Sequence, residues 1–129
     1  MTRIERPARV LLVEDDDDIR ALFTAALHRG GYHPRVASSG QQALDQAGEL
    51  VPDLVISDVS MPGLSGLDVC RALKAEPRTA STAVLLVSAL ASPQDREAGL
   101  QAGADDYLTK PIRPSLLLER VRSLLGALA

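Results

Sequence analysis

The chain has 129 residues, 46% hydrophobic and 24% charged, which is enough for one domain with a proper core and too few for two. Its net charge of -3 provides no basic field for nucleic acid, so direct nucleic-acid contact is not expected. No apolar run approaches the roughly 18 residues of a membrane span, Met1 to Arg9 lacks the apolar stretch of a secretory signal, and the single cysteine excludes an internal disulfide, so a cytoplasmic protein is the expectation.

Strand-like and helix-like segments alternate five times along the chain. Arg9 to Val13 reads as the first strand, with Glu14 and Asp15 at its end. A helix follows with Ile19, Leu22, Phe23, Ala26 and Leu27 on one apolar stripe, stopped by Gly30-Gly31. The second strand, Tyr32 to Ala37, contains Pro34, which cannot donate to a ladder and so marks a sheet edge. Ser39 and Gln42 have capping-box spacing for a helix carrying Ala43, Leu44, Ala47 and Leu50.

After Pro52, Asp53 to Ser57 forms the third strand, with Asp58 next. A loop rich in turn residues, Val59 to Gly66, leads into a helix from Ser65 to Ala75 with Leu67, Cys70 and Leu73 inward. The fourth strand is Ala83 to Val87, followed by Ser88. Ser92-Pro93 opens a helix to Ala102, and Gly103 ends it. Only Leu100 and several alanines offer that helix an apolar face, so it is expected to be the loosest element. Asp106 to Thr109 is a short fifth strand, with Lys110 after it. A last helix begins near Pro114 with Leu117, Val121, Leu124, Leu125 and Leu128 on one stripe. The expected domain is residues 1–129, with 1–7 as an N-terminal tail.

Solidly aliphatic strands separated by helices imply a parallel sheet covered on both faces. With right-handed crossovers and Pro34 at an edge, the expected architecture is α/β, a doubly wound (βα)5 flavodoxin-like fold with strand order 2-1-3-4-5. Glu14, Asp15, Asp58, Ser88 and Lys110 then emerge at one edge, where open α/β sheets bind ligands. Three carboxylates, a hydroxyl and an ammonium there suit a divalent cation and a phosphoryl group.

Not every polar residue belongs to that site. Asp16, Asp17 and Asp18 read as solvated residues favourable near a helix N-terminus, one of them capping. Asp58 or Ser88 alone would fit an ordinary strand end or turn. Cys70 reads as a small core residue and Tyr107 as half-buried strand packing. His28 sits in a last helical turn and His33 at the surface, and neither has partners at metal-ligand spacing.

Four segments together resemble the receiver domain of two-component response regulators, in its single-domain, chemotaxis-regulator-like form. They are Val10-Leu11-Leu12-Val13-Glu14-Asp15-Asp16, Ile56-Ser57-Asp58-Val59-Ser60-Met61-Pro62-Gly63, Leu86-Val87-Ser88-Ala89 and Gly103 through Pro111. The resemblance implies Asp58 as phosphoacceptor, Glu14 and Asp15 as the acidic pair for Mg2+, Ser88 as switch hydroxyl, Tyr107 as switch aromatic and Lys110 as site lysine. It also implies a cis Lys110–Pro111 bond and an inward turn of Tyr107 on phosphorylation.

The chemistry is consistent with those roles. Phosphoryl transfer needs positioning and charge neutralisation, and a carboxylate can act as nucleophile. Mg2+ prefers hard oxygen donors, here Asp15 and Asp58, Glu14 through water and the Ser60 backbone carbonyl. Lys110 offers a compact ammonium. The family's hydrolysis rates depend on the positions held here by Ser60 and Leu90, and Leu90 cannot orient water, so a long-lived phosphoryl state is expected.

The implied partners are a sensor histidine kinase or phosphotransfer protein, and an unknown output partner on the face of the fourth helix, fifth strand and fifth helix. That face would also serve a homodimer on phosphorylation. Such a chain catalyses only its own phosphorylation and dephosphorylation and is no turnover enzyme. The alternative is a receiver-like interaction module that never uses phosphate. An aspartyl-nucleophile phosphatase would want an acid at Ser60. A flavin-binding module would want a Ser/Thr/Gly-rich phosphate loop after the first strand, where the acidic run Glu14 to Asp18 stands.

Overall fold

Parallel β-strands with alternating inward residues and covering helices account for the architecture. The structure, a computed structural model, describes residues 6–126. Its elements are β1 (Val10–Val13), α1 (Asp17–Arg29), β2 (Arg35–Ala37), α2 (Gly40–Glu49), β3 (Leu54–Asp58), α3 (Gly66–Ala75), β4 (Ala83–Ser88), α4 (Pro93–Gln101), β5 (Asp106–Thr109) and α5 (Pro114–Gly126). The sheet is parallel in the order β2-β1-β3-β4-β5, as expected.

The period of two along each strand divides the interior into two layers. Val10, Leu12, Leu54, Ile56, Leu85 and Leu108 face α1 and α5, meeting Phe23, Leu27, Leu117 and Val121. Leu11, Val13, Val55, Val84, Leu86 and Tyr107 face the other side, meeting Ala43, Ala47, Val69, Cys70 and Leu73. The central strands are buried from end to end, which explains why they read as unbroken aliphatic runs.

Several sequence expectations are corrected in detail. β2 has three residues and starts after Pro34, whose missing N–H prevents earlier pairing. Leu22 is 48% exposed, because α1 meets the sheet through the narrower arc of Phe23, Ala26 and Leu27. In α2 the buried residues are Gly40, Ala43 and Ala47, while Leu50 lies just past the helix end and is exposed. The Ser39 hydroxyl caps Gln42, but the Gln42 side chain turns to Ser38 instead of closing a reciprocal box. Val69 joins Cys70 and Leu73 on the buried face of α3, and Leu67 packs half-buried against the same cluster. Leu100 is 54% exposed, and α4 approaches the sheet through Gly99. Leu128 and residues 1–5 of the expected tail lie outside the described residues. Arg6 donates to both oxygens of Asp53, at 2.8 and 3.0 Å.

Candidate functional site

The strand register brings the C-terminal ends together. Val13 pairs with Ser57, Asp58 with Val87 and Ser88 with Thr109. Glu14 and Lys110 are each the next residue along, and Asp58 and Ser88 are the last residues of β3 and β4. The five side chains expected at one edge therefore share it.

Glu14 is the most enclosed of the acids, at 2% exposure. Its Oε1 accepts from Lys110 Nζ at 2.9 Å and its Oε2 from the Asp16 N–H at 3.1 Å. Lys110 Nζ also donates to Asp58 Oδ2 at 3.0 Å, so one ammonium bridges β1 and β3. Asp58 Oδ1 accepts from the Ser60 N–H at 3.2 Å, and Asp15 is exposed. Glu14, Asp15 and Asp58 can each point an oxygen to within 4.8 Å of the others.

The electrostatics are unbalanced. Three carboxylates face one lysine. Burial pushes the Glu14 carboxyl up, with Asp58 adding to the rise, and the bonds from Lys110 and Asp16 offset only part of it. Burial works against the Lys110 ammonium, yet its hydrogen bonds to Glu14 and Asp58 prevail and its pKa is raised. A cluster of hard oxygen donors with excess negative charge fits a divalent cation such as Mg2+.

Ser88 is 1% exposed. Its Oγ accepts from the Leu90 N–H at 3.0 Å, which leaves the hydroxyl proton available for another acceptor. The Lys110 N–H donates to the Ser88 carbonyl at 2.8 Å, tying the ends of β4 and β5 together, and the Lys110–Pro111 bond is cis. Tyr107 is 2% exposed, deeper than the half-buried position expected of it and already inside, so the inward turn expected on phosphorylation is corrected: the ring has no further inward turn to make. The cause is the open space over α4's Gly99, into which the ring fits, with its hydroxyl donating to the Leu90 carbonyl at 2.7 Å.

Two supports of the site carry little or no signal in the local sequence. Arg20 donates to the Glu14 carbonyl at 2.9 Å and to Asp17 at 2.6 Å, holding the loop after β1. A long side chain returning six residues leaves no local signal. At Gly66 a Cβ would collide with the Asp58 carbonyl oxygen, so only glycine lets α3 begin this close to the end of β3. The turn-rich loop before it was the available clue.

A family model for the response regulator receiver domain matches residues 10–122. The DNA-binding response regulator MtrA of Mycolicibacterium smegmatis is 39% identical over 115 residues, covering 89% of this chain and 49% of its own length. The chain thus spans about half of that relative. Among solved structures, chemotaxis response regulator CheY4 of Vibrio cholerae aligns with a TM-score of 0.87 at 31% identity, over 92% of this chain and 99% of that one. The receiver domain of sensor histidine kinase PA1611 from Pseudomonas aeruginosa, solved with a magnesium ion coordinated in its active-site cleft, aligns with a TM-score of 0.86 at 30% identity, over 94% of this chain and 99% of that one.

Proposed function

This chain belongs to the response regulator receiver domains of two-component systems, and from that premise we propose that it is a switch operated by phosphorylation of Asp58. The observation that carries the reading is the Lys110 ammonium held between Glu14 and Asp58 at 2.9 and 3.0 Å, beside an exposed Asp15. A retired site would have no need of that arrangement.

In the proposed reaction a carboxylate oxygen of Asp58 attacks the phosphorus of a phosphohistidine on a sensor kinase or phosphotransfer protein. The P–N bond breaks, its electron pair stays on the imidazole nitrogen, and an acyl phosphate forms on Asp58. Glu14, Asp15, Asp58 and the Ser60 backbone carbonyl would hold Mg2+. When bound, that ion neutralises charge between the carboxylates and the incoming phosphoryl group. The magnesium in the PA1611 cleft supports this assignment.

Lys110 passes from the Asp58 carboxylate to a phosphoryl oxygen, and the free proton of Ser88 donates to another. Because Ser88 is joined to Leu90 and Leu90 to Tyr107, those contacts carry the change to the face of α4, β5 and α5. That face is the proposed site for the output partner and for a phosphorylation-dependent homodimer. Leu90 offers no polar group to orient water near the phosphoryl group, so the acyl phosphate persists for minutes or longer once donor is removed. Loss within seconds, without an auxiliary protein, contradicts that lifetime.

Acetyl phosphate with Mg2+, read by intact mass, tests the function. The expected result is one added phosphoryl group in the parent, none in Asp58→Asn and none with excess chelator. A folded parent that takes up nothing would favour the interaction module that never uses phosphate.

A further inference from the structure

Gly99 is the buried residue of α4, and the backbone does not require it to be glycine. It lies within the helix and has no positive φ, unlike Gly31, Gly63 and Gly103. Glycine is also a poor helix residue. What requires it is space. A Cβ at position 99 would stand 2.7 Å from Tyr107 Cδ2, 3.1 Å from Tyr107 Cε2 and 3.3 Å from Leu86 Cδ1.

None of these neighbours can easily yield. Leu86 is fully buried in β4. The Tyr107 ring is held at its hydroxyl by the Leu90 carbonyl at 2.7 Å, and the Arg96 guanidinium sits 5.4 Å from its centroid. From Tyr107 the contacts continue through the Leu90 N–H to Ser88 Oγ at 3.0 Å.

We infer that Gly99 is a positioning residue for the switch: the missing side chain on α4 forms the seat of Tyr107, and through Leu90 that seat sets where the Ser88 hydroxyl is held. The inference rests on the proposed phosphoryl-switch reading for its consequence at Ser88, though not for the contact itself. Adding one methyl group at position 99 then expels the ring, breaks its bond to Leu90 and leaves Ser88 poorly placed for the phosphoryl group. Arg96, one turn earlier on the same helix, loses its aromatic partner at the same time.

The test uses the full chain labelled with 3-fluorotyrosine. Only Tyr32 and Tyr107 report, and Tyr32→Phe assigns the two 19F resonances. In Gly99→Ala the Tyr107 resonance is expected to move toward that of a solvent-exposed tyrosine. The initial rate of phosphorylation by acetyl phosphate and Mg2+ is expected to fall at least about five-fold, and in a Tyr107→Leu background Gly99→Ala should change that rate by less than about two-fold.

An unmoved Tyr107 resonance overturns the proposal. So does an equal loss of rate in the Tyr107→Leu background, which would mean that the methyl acts through the helix and not through the ring. If Gly99→Ala alone fails to fold, recovery of a cooperative urea transition in the double variant supports the steric seat, and continued failure refutes it. A parent that takes up no phosphoryl group would defeat the proposed function, while the 19F shift would still report on the seat.

Discussion

At Lys110 one ammonium serves two carboxylates from neighbouring strands. Lys110→Ala leaves Glu14 and Asp58 buried or half-buried without their cation, and the expected cost is about 3 kcal/mol in urea denaturation at pH 7. Added Mg2+ should recover part of that loss, because the ion replaces the missing positive charge. The pH dependence has a definite sign. Lys110's pKa is raised above its ordinary 10.5, so its contribution is present below pH 10.5 and lost as pH rises through the higher folded value. The parent should therefore lose stability in that alkaline window more steeply than Lys110→Ala, by urea midpoints taken at pH 9 and 11. Glu14 is also raised, so its effect has the same sign in the acid range. Cys70 takes no part in this chemistry. Burial pushes its thiol up to about 11, and its Sγ–H donates to the Ala102 carbonyl at 3.4 Å. Thiol-reagent labelling at pH 8 should be at least about 100-fold slower than in the unfolded chain.

Among the helices, α3 and α4 begin alike and are anchored differently. Ser65 with Asp68, and Ser92 with Asp95, each form a reciprocal capping box. α3 is fixed to the core by Val69, Cys70 and Leu73, whereas α4 buries only Gly99. Ser65→Ala is therefore expected to lower global stability by about 1 kcal/mol. Ser92→Ala should leave the urea midpoint nearly unchanged and speed hydrogen exchange in α4 about five-fold, since a poorly anchored helix opens on its own. Equal global losses would contradict this division. The sequence already suggested a loose fourth helix from its lack of large apolar residues, but it did not indicate which side faces inward. Leu100 was the natural anchor, and only the position of Tyr107 across the interface reveals that Gly99 takes that role. Leu22 on α1 illustrates the same limit, because a 3.6-residue period identifies a stripe without fixing the roll of the helix on its sheet.

For the molecule as a whole, β4 is an interior strand, buried along all six residues between β3 and β5. Leu85→Ala should cost about 3 kcal/mol, a large share of the roughly 5–15 kcal/mol that holds a small domain, measured by the same urea series. Fold and site were legible for one shared reason. Aliphatic runs fixed the strands, Pro34 pointed to the edge strand although it stands just before β2, and parallel order then carried Glu14, Asp15, Asp58, Ser88 and Lys110 to one end. Pairings made by long side chains were not legible, because Arg6 on Asp53 and Arg20 on the Glu14 carbonyl depend on distances that no local pattern encodes. Whether Asp58 receives the phosphoryl group is decided by chemical trapping. After acetyl phosphate and Mg2+, borohydride reduces an aspartyl phosphate to homoserine, which peptide mass mapping locates. Homoserine at position 58, and its absence when Mg2+ is withheld, is the expected outcome; reduction at Asp15 or another carboxylate, with Asp58 intact, would refute Asp58 as the acceptor.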